Sequence, residues 1–314
     1  MREIRMKSTP SLMPLAYLNG ELVTFNEAVL PVYDLGVMQG ATVTERLRTV
    51  RHQPYLVKEH LDRLERSLKA IGWGLPQDAG PLTDVISELA LINCNLIGPN
   101  EDLGIVVFVT AGQSLWDSNG LIESSRPTVC IYTTPLPLQF WKAAYETGIS
   151  LATPTIRQIP TTVIDPRIKH RSRLHWTVAD QSVRKDYPGG AALLLDQNGF
   201  VTETSSGNLF IVKDGQLHTP REENTLGGIA QAQVIRLAEG RGWSVHRSDL
   251  TVDDVTSSQE AFLTSSTYCI LPVSHLNGVR IGTSLPGPIT KMLIDTWGAE
   301  MGLDFERQVL EASS

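Results

Sequence analysis

The sequence predicts a mixed α/β protein of two domains, and three observations support this prediction. The chain has 314 residues, which is enough for two hydrophobic cores because one domain holds about 50–200 residues. Residues 43–50 alternate as a strand does, whereas residues 57–71 have the apolar spacing of a helix. A content of 41% hydrophobic and 19% charged residues is ordinary for a soluble globular protein.

The first half of the chain is predicted to alternate strands with helices. Asn19-Gly20 is the strongest two-residue signal of a hairpin turn, so residues 16–25 are predicted as a hairpin. The helix over 57–71 rests on apolar residues at helical spacing, namely Leu61, Leu64, Leu68 and Ile71. A second helix is predicted at 81–93, and strands at 105–110 and 128–132.

The predicted strand at 43–50 has two chemically different faces. One face carries Val43, Glu45, Leu47 and Thr49, and the other carries Thr44, Arg46, Arg48 and Val50. Two arginines on one face indicate a polar cavity or a sheet edge, since a plain sheet core would not place them there.

A proline-containing stretch at 133–138 is rigid and extended, which is typical of a link between domains. We therefore predict domains at 1–134 and 143–314, with a linker at 135–142. The second half mixes strands and a helix, with strands at 191–195, 201–203, 209–212 and 261–264 and the helix at 228–239.

Composition argues against several classes of protein. The net charge of −7 argues against a general nucleic-acid binder. Cys94, Cys130 and Cys269 have no CxxC spacing, so neither a disulfide framework nor a zinc site is expected. The chain has no apolar run of about 20 residues and no signal peptide pattern, so we expect a cytoplasmic protein without a membrane span.

A lysine and a glutamate that each end an apolar, β-branched stretch suit pyridoxal phosphate (PLP). The amine of Lys169 can hold the cofactor as a Schiff base, and the carboxylate of Glu203 can keep its pyridine nitrogen protonated. Taken alone the pair is a weak signal, because most lysines and glutamates are solvated surface charges.

Three further features suit an anion, and each has a plainer interpretation. The Leu-Gly-Gly-Ile motif at 226–229 precedes a helix, so its N–H groups can bind phosphate, or it is simply a helix start. The hydroxyl run at 264–267 ends a strand and can bind phosphate or form a turn. Arg63 is either an anion ligand or a surface partner of Glu59.

Read in order, these pieces resemble the class IV, fold-type IV PLP aminotransferases over residues 17–288. The segments that carry the resemblance are Tyr17-Leu18-Asn19-Gly20, Glu59-His60-Leu61-Asp62-Arg63-Leu64, Ile168-Lys169, Thr202-Glu203 with Asn208-Leu209-Phe210, Gly227-Gly228-Ile229, Phe262-Leu263-Thr264 and Gly287-Pro288. The resemblance implies a small N-terminal α/β domain, a larger β-rich C-terminal domain and a homodimer.

The resemblance also implies roles for particular residues. Lys169 matches the Schiff-base lysine and catalytic residue, and Glu203 matches the carboxylate that faces the pyridine nitrogen. Phosphate ligands are matched by Arg63, by the backbone of Gly228 and Ile229, and by the hydroxyl of Ser266. The chain departs from the family where Gln39 and Thr44 replace aromatic residues and where Ala230-Gln231 replaces Thr-Arg in the phosphate-binding motif.

Further departures leave the substrate open. Ala111 stands where the D-amino-acid enzymes have a carboxylate-binding arginine. We therefore expect Thr44 and Arg46, on one face of the same strand, to contact the substrate, with Arg46 binding its carboxylate. The alternative is that Arg46 pairs with an internal acid or faces solvent. The N–H groups of Thr267 and Tyr268 are second candidates.

Three functions are compatible with these residues. The leading prediction is amino transfer between an amino acid and a 2-oxo acid, with Lys169 as base and then acid. The alternative is aminodeoxychorismate lyase, because residues 168–170 with Arg173 and Leu174 look more like that group than like branched-chain enzymes. A catalytically silent PLP-fold protein is the third alternative, and the intact Lys169, Glu203 and Arg63 argue against it.

Overall fold

The computed structural model describes residues 5–6, 13–121 and 125–311, which form two units, each with its own sheet. The first unit holds the described residues up to Leu136 together with Ile168–Ser172. The second unit holds Pro137–Arg167 and the described residues from Arg173 onward. Lys169 therefore belongs to the first unit, although it follows the predicted linker in the sequence.

The first unit is built on a seven-stranded sheet. Its strands are β1 (Arg5–Met6), β2 (Leu15–Leu18), β3 (Glu21–Thr24), β4 (Thr42–Val50), β5 (Gln53–Pro54), β6 (Leu103–Thr110) and β7 (Thr128–Pro135). Its α-helices are α1 (Leu35–Met38), α2 (Val57–Ala70) and α3 (Leu82–Cys94). The strand order is β1-β3-β2-β7-β6-β4-β5, and every pair is antiparallel except β1–β3.

One apolar core joins α2 and α3 to a single face of this sheet. Leu64 and Leu68 of α2 pack in the same buried cluster as Val43 and Leu47 of β4. The other face of β4, which carries Arg46, is turned away from this core because side chains alternate along a strand. The predicted hairpin, the strand over 43–50 and the two helices are confirmed.

The second unit is built on a nine-stranded sheet. Its strands are β8 (Ile149–Ala152), β9 (Ala191–Leu195), β10 (Val201–Thr204), β11 (Asn208–Lys213), β12 (Gln216–Pro220), β13 (Val245–Ser248), β14 (Glu260–Ser265), β15 (Cys269–Leu276) and β16 (Val279–Arg280). Its α-helices are α4 (Leu138–Thr147), α5 (Leu174–Asp186), α6 (Ile229–Glu239), α7 (Val252–Thr256), α8 (Pro288–Met301) and α9 (Phe305–Leu310).

This second sheet closes on itself. The strand order is β10-β9-β8-β15-β14-β11-β12-β13, and β10 pairs with β11 as well as with β9. The path from β10 to β11 is therefore a closed ring. The closing pair is Glu203 with Asn208, so the ring closes at a predicted site residue.

The mixed α/β fold class is confirmed, and the predicted linker region has a definite structure. Strand β7 ends at Pro135 and helix α4 begins at Leu138, so most of residues 135–142 is helical. The domain boundaries at 1–134 and 143–314 remain a sequence-based prediction. Within the described ranges, no helix is both long and apolar enough to cross a membrane.

Candidate active site

Lys169 is held beside β4 by backbone hydrogen bonds. The N–H of Thr44 donates to the carbonyl of Lys169 over 2.9 Å, and Val43 pairs with His170 as an antiparallel bridge. The N–H of Lys169 donates to the Ser67 hydroxyl of α2 over 3.3 Å. Opposed residues of an antiparallel pair share a face, so the register places Lys169 on the Thr44 face of β4.

Arg63 is buried in an ion pair that the sequence did not predict. Its Nε and Nη2 each donate a hydrogen bond of 2.7 Å to the carboxylate of Glu45 on β4. The ring Nδ1 of His60 lies 2.7 Å from Glu45 Oε2, and all three side chains are buried. The alternative in which Arg63 is a surface partner of Glu59 is therefore wrong.

The charges of this buried cluster are well defined. Burial by itself would raise the pKa of Glu45, but the charge and hydrogen bonds of Arg63, with the contact from His60, bring that pKa down to about 2. Burial lowers the pKa of His60, although its hydrogen bond to Glu45 opposes the shift. His60 is therefore neutral near pH 7 and donates from Nδ1 to the ionised Glu45.

The predicted substrate residues of β4 differ in their contacts. The hydroxyl of Thr44 is buried and donates to the carbonyl of Val107 over 2.8 Å, so its proton is already in use. Arg46 is half-buried, and its Nε is fully enclosed without a hydrogen-bond partner in the described part of the chain. Arg46 is thus the β4 side chain with free capacity to bind an anion.

In the second unit, Glu203 is fixed at the closure of the ring. Its Oε2 accepts hydrogen bonds of 3.1 Å from Nδ2 of Asn208 and 3.1 Å from the N–H of Leu226. The same Nδ2 donates to the carbonyl of Leu226 over 2.9 Å. Asn208 therefore ties the Glu203 carboxylate to residues 226–229, which we call the phosphate cup after the role that the resemblance implies.

The phosphate cup leads into the N-terminus of α6. Gly228 is the residue before Ile229, the first residue of this helix, and no side chain caps the helix there. A Cβ on Gly228 would lie 2.0 Å from Oδ1 of Asn208, so only glycine fits. The unsatisfied N–H groups of a helix start carry partial positive charge and bind anions.

The turn after β14 lies beside the same strand pair. Thr264 pairs with Asn208, and its buried hydroxyl has no hydrogen-bond partner among the residues that the structure describes. Ser266 follows in the turn and is partly exposed. Tyr268 is buried, and its carbonyl accepts a hydrogen bond of 3.0 Å from the hydroxyl of Tyr145, which fixes the far end of the turn.

The structure brings the predicted residues into two groups, one in each unit. In the first unit, α2 joins Arg63 to the Lys169 segment, because Ser67 follows Arg63 by one helical turn. In the second unit, Asn208 joins Glu203, the phosphate cup and Thr264. The contacts of Glu45, His60 and Asn208 were not predicted from the sequence. The sequence does contain a signal for Glu45 and His60. Each is a polar residue on a strand or helix face that is otherwise apolar.

Comparison with known proteins finds relatives that match most of this chain. The family model for amino-transferase class IV matches residues 42–276. A Methanocaldococcus jannaschii protein with the provisional name branched-chain-amino-acid aminotransferase is 34% identical over 281 residues, covering 88% of this chain and 93% of that protein. The D-alanine aminotransferase of Bacillus licheniformis is 28% identical over 274 residues, covering 87% and 92%.

Solved structures of aminotransferases are also similar to this chain. The branched-chain amino acid aminotransferase of T.th. with pyridoxamine 5'-phosphate has a TM-score of 0.81 at 25% identity, covering 92% of this chain and 95% of that chain. The Thermoproteus uzoniensis branched-chain aminotransferase with norvaline has a TM-score of 0.77 at 26% identity, covering 95% of both chains. These aminotransferase relatives do not favour the lyase alternative. This chain therefore belongs to the amino-transferase class IV family and is a transaminase.

Proposed function

We propose that this protein is a PLP-dependent aminotransferase in which Lys169 binds the cofactor covalently and moves the proton. The observation that carries the proposal is the fixed carboxylate of Glu203 beside the uncapped start of α6. A carboxylate and a helix N-terminus in one place suit a molecule with a basic ring nitrogen and a phosphate.

The described residues offer a partner for each reactive part of PLP. Glu203 would face the ring nitrogen, and Asn208 and the N–H of Leu226 hold it in place. The N–H groups of Gly228 and Ile229, the unpartnered hydroxyl of Thr264 and the hydroxyl of Ser266 would hold the phosphate. Arg63, predicted as a further phosphate ligand, is oriented by Glu45 through two of its nitrogens.

The residues of this chain then have separate tasks in amino transfer. When bound, PLP supplies an electron sink that stabilises negative charge at the substrate Cα. Lys169 Nζ, freed by the incoming amine, takes the proton from Cα and later returns one, as base and then acid. The carboxylate of Glu203 would accept a hydrogen bond from the ring nitrogen and so keep that nitrogen protonated. Thr44 and Ser67 hold the Lys169 backbone, so that its amine starts from a fixed position.

A labelling experiment tests the role of Lys169. Borohydride reduction of the protein with PLP, followed by peptide mass spectrometry, should place the cofactor on the peptide that contains Lys169. Lys169→Ala should lose both the label and amino transfer, whereas Lys185→Ala, which changes an exposed lysine at the end of α5, should keep both. Labelling of another lysine in the wild-type protein would contradict the proposal.

The donor and its chirality are open to direct measurement. The relatives are named for branched-chain amino acids and for D-alanine, so we propose an amino acid as donor. The visible spectrum of the PLP-loaded protein should change only with the correct donor among L-leucine, L-glutamate, D-alanine, D-glutamate and an (R)-arylamine. A spectrum that responds only to the arylamine would contradict an amino-acid donor.

We also propose a homodimer in the cytoplasm. Neighbouring loops of the first unit expose Val32 and Trp116, at 81% and 94% of their surface, and an apolar patch formed by adjoining side chains is typical of an interaction surface. The three cysteines are buried and free, which suits a reducing compartment. Light scattering of the purified protein should give twice the chain mass of 34.5 kDa, and a monomer would contradict the proposed dimer.

A further inference from the structure

Tyr268 is a buried residue of the turn that joins β14 to β15. Ser265 pairs with Cys269, so residues 266–268 form the turn between the two strands. Cys269 has a φ of 61°, a left-handed conformation that is uncommon for a residue other than glycine. Such a conformation persists only where the surrounding structure enforces it, so the path of the chain at Tyr268 is tightly fixed.

Helix α4 holds both the backbone and the ring of Tyr268. The hydroxyl of Tyr145 donates to the carbonyl of Tyr268 over 3.0 Å. The ring of Trp141 meets the ring of Tyr268 edge-on, with centroids 5.9 Å apart and planes at 77°. Edge-to-face packing is a favourable geometry for two aromatic rings. The Tyr268 ring therefore has one fixed direction.

The hydroxyl end of this ring reaches the turn that follows Glu203. A Cβ on Gly207 would lie 2.2 Å from the hydroxyl oxygen of Tyr268 and 2.6 Å from the carbonyl oxygen of Thr264, so only glycine fits. The turn is closed by two hydrogen bonds of 3.0 Å, in which the Thr204 hydroxyl donates to the Gly207 carbonyl and accepts from the Gly207 N–H. Tyr268 is thus packed directly against a closed turn.

The hydroxyl of Tyr268 adds no hydrogen bond to this contact. It is fully enclosed, and no described residue lies in hydrogen-bond geometry with it, although the Ser206 side chain is near. Burial raises the pKa of Tyr268, so the hydroxyl stays neutral. An enclosed hydroxyl without a partner costs free energy that a phenylalanine would avoid. The position of this oxygen is therefore explained by its contact with Gly207 and not by a hydrogen bond.

Gly207 lies next to the residue that orients Glu203. Asn208 follows Gly207 directly, and its Nδ2 donates to Glu203 Oε2 over 3.1 Å. Glu203 and Asn208 are also paired across β10 and β11, and residues 204–207 are the whole connection between them. A shift of Gly207 would carry the Asn208 backbone with it and change the direction of the Glu203 carboxylate.

We propose that Tyr268 is a positioning residue for Glu203: its ring and hydroxyl hold the turn at 204–207 in place, so that Asn208 keeps the Glu203 carboxylate in one orientation for the ring nitrogen of the cofactor. The inference rests on the proposed function, which assigns the ring nitrogen to Glu203. In this role the side chain acts through Gly207 and Asn208, independently of the predicted contact between the Tyr268 N–H and a substrate.

A pH titration of the visible spectrum of the PLP-loaded protein tests the proposal. The visible band changes with protonation of the nitrogen that links PLP to the lysine, and a proton on the ring nitrogen lowers the pH midpoint of that change by charge repulsion. Glu203→Gln should therefore raise the midpoint by about one pH unit or more. Tyr268→Ala should raise it by about 0.5 unit or more, because a misdirected carboxylate holds the ring proton less well.

Two further variants separate positioning from general loss of packing. Phe305→Ala is the matched control, since it removes a buried ring that packs on Trp297 between α8 and α9. It should lower the urea midpoint of unfolding about as much as Tyr268→Ala and leave the pH midpoint unchanged. Tyr268→Phe should give a smaller rise of the pH midpoint with an equal or higher urea midpoint, because the lost hydroxyl has no partner.

Each other outcome is decisive. An unchanged pH midpoint in both Tyr268 variants, with a raised one in Glu203→Gln, would overturn the inference and leave the proposed function intact. An equal rise in Phe305→Ala would overturn it too, because any cavity would then disturb the cofactor. No rise in Glu203→Gln would contradict the proposed role of Glu203 and the inference together. Should Tyr268→Ala fail to fold, the result of Tyr268→Phe decides alone.

Discussion

Glu45 and Arg63 form a buried ion pair whose two parallel hydrogen bonds, each of 2.7 Å, join β4 to α2. His60, one helical turn before Arg63, also contacts the Glu45 carboxylate. Because Ser67, on the same side of α2, accepts a hydrogen bond from Lys169, the helix that the pair anchors also positions the predicted catalytic segment. The ion pair therefore stabilises the first unit and also helps to position the Lys169 segment.

Glu45→Gln should destabilise the protein strongly. The amide keeps the shape of the side chain but removes the negative charge that faces the buried guanidinium of Arg63, which costs about 3–5 kcal/mol. Urea denaturation followed by circular dichroism measures the free energy of unfolding. Asp62→Asn is the matched control, since it removes an exposed ion pair with Lys58 on the same helix and should cost under about 1 kcal/mol. Equal effects of the two changes would contradict the importance of the buried pair.

The stability of the protein should fall as the solution becomes acidic. The pKa of Glu45 is about 2 in the folded protein against a usual 4.5, so the unfolded chain binds this proton more readily. Its contribution is complete above pH 4.5 and is lost as the pH falls toward about 2. His60, whose pKa is lowered from 6.5, adds a loss that begins at higher pH.

Urea midpoints at pH 7, 5.5, 4.5 and 3 measure this dependence. In Glu45→Gln the decline between pH 4.5 and 3 should be shallower than in the wild type, because the titrating group is absent. A variant that loses stability as steeply as the wild type over this interval would show that other carboxylates control the acid response.

The alternation of residues 43–50 predicted which β4 side chains share a face, and the structure agrees. Val43 and Leu47 pack on α2, and Glu45 lies between them on the same face. What the pattern did not predict is the partner of Glu45. Alternation assigns a side chain to a face, but the helix position opposite it depends on tertiary packing.

Two other features depend on pairings between distant parts of the chain. The segment of Lys169 returns to the edge of β4 after more than a hundred residues, and a bridge and backbone hydrogen bonds hold it there. Asn208 meets Glu203 because β10 and β11 close the ring of the second sheet. Register between strands comes from the buried pattern of the whole sheet, so a local motif does not reveal it.

Alanine substitution of the two neighbouring glycines of the phosphate cup should affect PLP binding differently. A Cβ on Gly228 would lie 2.0 Å from Oδ1 of Asn208, whereas a Cβ on Gly227 would meet nothing within 4 Å. Gly228→Ala should therefore displace Asn208 and weaken PLP binding about tenfold or more, the effect of a clash of about 1–3 kcal/mol. Gly227→Ala should change the affinity by less than about threefold.

Fluorescence titration of the apoprotein with PLP measures both affinities, and the free energy of unfolding is measured alongside. Similar affinities for the two variants would show that the contact between Gly228 and Asn208 does not shape the cup.

Glu203→Gln should reduce turnover far more than cofactor binding. The amide can still accept hydrogen bonds from Asn208 and Leu226, so the local structure is kept. It cannot hold a proton on the ring nitrogen, so charge at the substrate Cα is poorly stabilised and kcat should fall about 100-fold or more. The dissociation constant for PLP should rise by less than about tenfold, because Lys169 and the N–H groups proposed for the phosphate are unchanged. Glu223→Gln, an exposed change in the same unit, is the matched control. A kcat within about twofold of the wild type in Glu203→Gln would remove this residue from the proposed site.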